Sequence, residues 1–163
     1  MQKHDIIGFD AIVTNPPFAG DVAAADYAAD YTTARDGQDR VEKDVLFLER
    51  CINLLRKNGR LAIVLPDNKV SAKKFAGLRS WIIHNHKIIA VVSLHGYTFK
   101  PHTSQKAVVV FLQKGAPDNA RDIRFYRSDV PGKTSTGELI FEQGKVVHDL
   151  DEIAADLKEA WSP

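Results

Sequence analysis

No stretch of this 163-residue chain approaches the roughly 20 apolar residues that a membrane-spanning helix needs; runs such as Ile88–Leu94 are far too short. No charged start followed by an apolar stretch resembles a secretion signal. The single cysteine, Cys51, excludes an internal disulfide framework and fits a reducing compartment, so a cytoplasmic protein with no membrane partner is expected. Cysteine and histidine nowhere take the spacing of a zinc site, and no metal is expected. The ten glycines are scattered, with no Gly-x-Gly among them. Acidic side chains are missing from Asn68 to Pro117, where Lys69, Lys73, Lys74, Arg79, Lys87, Lys100, Lys106 and Lys114 contribute +8. His84, His86, His95 and His102 lie in the same stretch. Since the whole chain carries a formal +1, the flanking segments together carry −7. A basic middle on a near-neutral chain is what a polyanion-facing surface needs. The alternative is a solvated face whose lysines mark helix and strand ends.

What is present describes a globular domain with a core: 44% of residues are hydrophobic and 26% charged. Phe9–Thr14 reads as a strand that must stop at Pro16-Pro17, because neither proline donates a ladder hydrogen bond. Ala19–Lys43 is polar and reads as a long loop with a helical turn. Val45, Leu48, Ile52 and Leu55 recur at helical spacing, widened by Phe47, Cys51 and Leu54. Asp44 suits the helix start, Arg56 and Lys57 its last turn, and Gly59 the left-handed position beyond it. Arg60–Leu65 is an apolar strand ended by Pro66. Ser71 is placed to cap a second helix with Phe75, Leu78 and Ile82 on one face. Lys87–Leu94 is a strand apolar enough to be buried on both faces. His95–Lys106 is a polar loop with aromatic inserts, and Ala107–Gln113 a further strand. Beyond Gly115-Ala116-Pro117, Ile123–Tyr126 and Leu139–Phe141 read as short strands. Asp151–Trp161 reads as an amphipathic helix using Ile153, Leu157 and Trp161. The order predicts an α/β sheet, parallel first and closing with an antiparallel strand. The division expected is residues 1–117 for this sheet and 118–163 for a small α+β extension.

The informative cluster is Phe9-Asp10-Ala11-Ile12-Val13-Thr14-Asn15-Pro16-Pro17-Phe18. An apolar strand delivers an amide, two rigid prolines and an aromatic ring at its carboxyl end, where open α/β sheets bind ligands. These residue types suit methylation of a planar amino group. Such a nitrogen is a poor nucleophile because its lone pair is delocalised into the ring. Hydrogen bonds accepted from its two hydrogens, by the Asn15 side-chain oxygen and the Pro16 carbonyl, favour a tetrahedral nitrogen with a localised lone pair. The prolines preset that carbonyl, and Phe18 offers a face for base stacking. Taken as four residues alone, Asn-Pro-Pro-Phe is equally an ordinary turn. For Asp10, packing or support of its neighbours is expected over direct chemistry.

From Phe9 to about Lys114 the chain resembles the S-adenosylmethionine-dependent amino-methyltransferases, most closely the modification subunits of type I restriction–modification systems. The residues that carry the likeness are Phe9–Phe18, Leu54-Leu55-Arg56-Lys57-Asn58-Gly59-Arg60-Leu61-Ala62, Leu65-Pro66-Asp67 and Thr103-Ser104-Gln105-Lys106-Ala107. The resemblance implies the carboxyl-terminal half of a Rossmann-like methyltransferase sheet and transfer of a methyl group to the exocyclic amine of adenine in DNA. It implies Asn15, Pro16, Pro17 and Phe18 as catalytic residues, with Asn15 also near the cofactor's methyl end. Family members bring an aromatic from the loop before the last strand to the target base; Tyr97 and Phe99 are the candidates, with Lys100 beside them as a further substrate contact. The partners implied are DNA and the specificity and restriction subunits. The family holds its cofactor on a glycine-rich loop that this sequence lacks. Only eight residues precede the catalytic strand, so the chain is expected to begin inside the catalytic domain and not to methylate alone. In that arrangement the Phe9–Thr14 strand lies at a sheet edge, which invites self-association or a covering segment. The same signature also serves methylation of protein glutamine or of guanine in ribosomal RNA. From another class, the chain is a non-catalytic interaction module.

Overall fold

The computed structural model describes residues 8–35, 37–115, 117 and 122–161. In chain order the elements are β1 (Phe9–Thr14), β2 (Asp21–Ala23), β3 (Arg40–Glu42), α1 (Lys43–Leu54), β4 (Leu55–Pro66), α2 (Asn68–Ser71), α3 (Ala76–Asn85), β5 (Lys87–Ser93), β6 (Ala107–Gln113), β7 (Arg124–Arg127), β8 (Phe141–Glu142), β9 (Lys145–Val146) and α4 (Leu150–Trp161). Single 3-10 turns lie at Ala24–Asp26, Thr32–Ala34 and Lys73–Phe75. The main sheet has the order β1-β4-β6-β5-β7. β1 is parallel to β4 and β5 to β7, while β6 runs antiparallel to both β4 and β5. The expected antiparallel strand is therefore slotted inside the sheet, and β7 extends that sheet beyond β5.

Strand alternation sorts the apolar residues onto two faces. Leu61, Ile63 and Leu65 of β4, Val108, Val110 and Leu112 of β6, and Val91 of β5 share one cluster with Val45, Leu48 and Ile52 of α1 and Leu78 and Ile82 of α3. Ala90 and Val92 of β5, Leu94 just beyond it, and Ala107 of β6 meet Leu157 of α4 on the other face, with Phe18, Val64, Phe99 and Phe111 partly buried around them. β5 is thus buried on both faces at its centre, as its Val/Ile content predicts. Full burial of one Leu or Ile side chain contributes about 1.5–3 kcal/mol, so the first cluster dominates the stability of the sheet. α4 uses Ile153 and Leu157 as expected, while the side chain of Trp161 lies outside the described residues.

Several local expectations are corrected. Residues 19–43 are not a loop with one turn: β2 and β3 pair as an antiparallel ribbon, Val22 opposite Val41. The excursion between them is pinned by the buried Glu49 carboxylate, which accepts hydrogen bonds from Thr32 N, Thr33 N and Thr33 Oγ1 at 2.7–2.9 Å. Asp44 does not cap α1; it is turned inward and ion-paired with Lys69. Gly59 does not end a helix either. The chain passes directly from Leu54 into β4, so Arg56 and Lys57 are strand residues, and the left-handed residue is Asn58 at φ 63°. Gly59 is required by close packing, since a Cβ there would stand 2.9 Å from the carbonyl oxygens of both Arg56 and Phe9. Ser71 ends α2, its hydroxyl bonded to Asp67 O and Oδ2, and caps nothing ahead of it. The strand expected over Leu139–Phe141 falls at Phe141–Glu142, with Leu139 in an isolated bridge to Lys133.

Among the described residues β1 is an edge strand, hydrogen-bonded to β4 alone. Phe9 is 54% and Val13 84% exposed there. The tail helix α4 packs on β5 and does not supply the expected cover for this edge. No described helix is long and apolar enough to cross a membrane.

Candidate active site at the carboxyl end of the sheet

β1 ends at Thr14 beside Ile63 of β4, and the two prolines turn the chain away from the ladder. Asn15 is exposed, and its amide has no hydrogen-bond partner among the described residues. Pro16 is buried, which anchors the turn, while Pro17 is exposed. Phe18 is half-buried on the α4 face of the sheet. Its ring meets that of Phe99 edge to face, with centroids 5.6 Å apart and planes at 88°, a geometry worth about 0.5–1.5 kcal/mol beyond area burial. The sequence left Tyr97 and Phe99 as alternatives. Phe99 is the one brought to Phe18, whereas Tyr97 is 38% exposed and packs on the His95 ring at 4.7 Å. Lys100 donates to Ser104 Oγ at 2.6 Å within the same loop. Asp10 lies on the surface, paired with Arg56 at 2.5 Å, and takes no part in the turn.

The charge asymmetry along the chain is partly undone in three dimensions. Lys69, 2% exposed, pairs with Glu42 Oε2 at 2.7 Å and Asp44 Oδ2 at 2.9 Å, and its ammonium lies 4.4 Å from the Phe75 ring centre. The Asp44 contact is close enough for charge pairing yet off the direction of a hydrogen bond, leaving both its oxygens without one. Burial raises the Asp44 carboxyl above 3.8 against the pull of Lys69. Burial acts the same way on Glu42, but hydrogen bonds from Lys69 and Lys74 overcome it and hold that carboxyl below 4.5. Arg79 is spent on the carbonyls of Lys69 and Ala72, and Lys114 on those of Asn53 and Leu55. Lys73, Lys87, Lys100 and Lys106 keep no carboxylate partner among the described residues. Lys87 opens β5 at the far end of the sheet. Lys106 sits at the carboxyl end, its carbonyl accepting from Asp67 N, and Lys100 lies in the loop beyond β5. Lys73 follows α2, which starts where β4 ends.

A cleft of about 320 Å³ opens between the β2–β3 ribbon and α3, lined in part by Asp21, Arg40, Glu42, Lys74, Phe75 and Trp81. It does not include Asn15–Phe18, and its charges are already paired, Asp21 with Arg40 at 2.5 Å and Glu42 with Lys74 at 2.7 Å. What the sequence did not reveal is a set of contacts from Lys133 and Gly137 onto the Phe99 loop. They join residues more than 30 positions apart, and no local pattern marks them.

The main sheet is parallel at β1–β4 and β5–β7 with the antiparallel β6 slotted between them, and it carries the Asn-Pro-Pro-Phe turn at the carboxyl end of its edge strand β1. A Listeria monocytogenes protein assigned to the class I S-adenosylmethionine-dependent methyltransferases shares this fold, with a TM-score of 0.68 at 16% identity over 95% of this chain and 43% of that one. The chain belongs to the N-6 DNA methylase family, whose model matches residues 1–155. The methylase subunit of the type I restriction enzyme EcoEI of Escherichia coli is 31% identical over 126 residues, 75% of this chain and 24% of that subunit. The methyltransferase subunit of a type I restriction–modification system from Streptococcus thermophilus superposes with a TM-score of 0.72 at 21% identity, over 99% of this chain and 34% of that one. The chain thus spans about a quarter of the length of its EcoEI relative.

Proposed function

We propose that this chain supplies the target-base half of an adenine-N6 DNA methyltransferase of the type I restriction–modification kind. The observation that supports it most is the partnerless Asn15 amide, set at the carboxyl end of β1 beside a Phe18 that Phe99 buttresses. An adenine amine inside a stacked duplex is out of reach, so the base must be extruded into this corner. Asn15 Oδ1 and the Pro16 carbonyl accept its two hydrogens and localise the lone pair, and the buried Pro16 keeps that carbonyl in place. Phe18 and Phe99 supply the apolar wall for the base ring. Lys73, Lys100 and Lys106 border the same end and meet phosphates, which give affinity without reading sequence. The family name and the EcoEI relative favour DNA adenine over protein glutamine or ribosomal guanine.

S-adenosylmethionine, when bound, supplies the methyl group. The described residues fit it along one wall only, through the exposed Asn15 amide; the cleft between the β2–β3 ribbon and α3 does not include Asn15, and the sequence holds no Gly-x-Gly. Binding of the cofactor by this chain alone is therefore expected to be weak, and calorimetry showing tight binding would contradict the assignment. Specificity and restriction subunits are the partners expected for the whole system, and the open β1 edge is the surface for self-association of the isolated chain. The direct test is titration with a single-stranded oligonucleotide carrying 2-aminopurine. Quenching that Phe18→Ala abolishes and Phe18→Trp retains supports the base site; quenching indifferent to Phe18 removes it.

A further inference from the structure

The carboxyl-terminal segment reaches back onto the loop that carries Phe99. Lys133 is half-buried and has no carboxylate partner among the described residues. Its ammonium instead donates to the carbonyls of Thr98 at 3.0 Å and Lys100 at 3.1 Å, one on each side of Phe99. Gly137, at φ 98°, lies against the peptide that follows: a Cβ there would stand 2.5 Å from Pro101 N and 2.7 Å from the Lys100 carbonyl carbon. Two contacts of different kinds, an ammonium on carbonyls and backbone on backbone, thus bear on one loop from one turn. That turn is closed by the Lys133–Leu139 bridge and by hydrogen bonds from Gly137 N to Thr134 O and from Thr134 N to Glu138 O.

The turn is itself tied to the sheet. Asp149 accepts from Ser128 Oγ at 2.6 Å, Asp129 N at 2.6 Å and Val130 N at 3.1 Å, and Pro131 bridges to His148. Ser128 N donates to the carbonyl of Ser93, the last residue of β5, at 2.9 Å. α4 follows Asp149 directly and buries Leu157 against Ala90 and Val92. A continuous set of bonds therefore leaves β5 at Ser93, passes through residues 128–149, and returns to the loop beyond β5 at Thr98 and Lys100. The loop's own bonds are short-range: backbone turns at Thr98, Lys100 and Thr103, and side-chain bonds from Tyr97 N to His95 Nδ1, Lys100 Nζ to Ser104 Oγ and Gln105 N to Thr103 Oγ1; the Phe99 ring rests on Phe18.

We infer that Lys133 and Gly137 are positioning residues, which clamp the 95–106 loop so that Phe99 stays packed on Phe18. The consequence for base capture rests on the reading of Phe18 as the base wall; the clamp itself does not. Loss of the Lys133 ammonium frees two carbonyls and lets the Phe99 loop open, without touching any residue of β4 or β6.

The test uses the full chain with Lys133→Met, Lys133→Arg and Gly137→Ala. Amide hydrogen exchange is read at Thr98, Lys100 and Thr103 and, as reference, along β4 and β6. The clamp predicts exchange faster by about tenfold or more in the loop for Lys133→Met and Gly137→Ala, with the sheet amides unchanged and Lys133→Arg restoring protection. Unchanged loop exchange in both variants overturns it. So does loop exchange that rises only together with the sheet amides, which marks a general loss of stability. Quenching of a 2-aminopurine oligonucleotide separates the two claims. A loosened loop with weakened quenching supports both. A loosened loop with quenching indifferent to Lys133→Met and to Phe18→Ala supports the clamp and overturns the base site.

Discussion

Two groups of polar side chains lie near the carboxyl end of the sheet, and the fold treats them in opposite ways. Lys69, Glu42 and Asp44 are drawn together between α1 and α2, with Lys69 and Asp44 each only 2% exposed. Asn15, Lys73 and Lys106 stand exposed, with no charge or amide partner among the described residues. Isolation from water is costly for an unpaired charge, so the buried group is bound to be saturated with opposite charge. The exposed group suffers no such constraint and keeps its donors and acceptors for something else. On the proposed reading, the partners that the exposed group lacks inside the chain are supplied by the ligand. The comparison predicts that substitutions in the first group cost stability and those in the second cost binding or rate.

The largest loss of stability is expected from Lys69→Met, which strands Asp44 in the interior and costs roughly 3–5 kcal/mol by denaturant titration. Pairing it with Asp44→Leu should recover most of that loss. A Lys69→Met protein as stable as the parent would show that the buried pair does not support the fold. Phe18 falls between the groups, since it is half-buried against Phe99. Phe18→Ala should cost about 1–2 kcal/mol, below the 3–5 kcal/mol typical of a fully buried ring, so its binding defects must be read against its melting curve.

A smaller, pH-dependent effect is expected at His86, whose Nδ1 accepts from Gly115 N while Nε2 is buried with no hydrogen-bond partner among the described residues. Burial, with help from nearby Lys114, holds this imidazole below 6.5. The unfolded chain then binds the proton first, so stability declines as pH falls below about 6.5, until the folded imidazole titrates too. His86→Gln should flatten that decline; an unchanged slope would assign it elsewhere. Asp44, raised by burial, acts in the reverse sense as it protonates, and Glu42, lowered by its lysines, loses its contribution only as pH falls below 4.5. The smallest effect on stability belongs to Lys73, Lys100 and Lys106. Their triple replacement by Gln should leave stability within about 0.5 kcal/mol. It should also lower the salt dependence of DNA binding by about 0.7–0.9 in log–log slope for each phosphate that is no longer neutralised. An unaltered slope would show that the rim meets no phosphates.

Much of the main sheet was legible because β1, β5, β6 and the second half of β4 are contiguous apolar runs. β1 and β6 fall where Phe9–Thr14 and Ala107–Gln113 predict them. The β2–β3 ribbon was not legible, since Val22 and Val41 pair across nearly 20 residues of chain that is held by Glu49 from another element and by burial of Ala24 and Ala34 in the core. Gly59 and Asp44 were misread for one reason: each suits a helix terminus locally, and each is used for a tertiary contact. The charge pattern was readable as composition but not as surface, because Glu42 and Asp44 fold back onto Lys69 and Lys74. Of the candidate site, Asn15–Phe18 was legible from residue type and strand context. The choice of Phe99 over Tyr97 depends on which loop ring the sheet brings to Phe18, and the grip of Lys133 on that loop has no local signature.

The most direct test of the proposed base site is the turnover rate of Asn15→Ala in this chain joined to a methyltransferase cofactor-binding half, measured at saturating DNA and S-adenosylmethionine. The exposed, partnerless amide predicts a melting temperature that stays with the parent and a kcat lower by about 10²-fold or more, as for other transition-state hydrogen bonds that have been removed, with KM for DNA little changed. Methylation of adenine at the parental rate, or a variant that fails to fold, would contradict it.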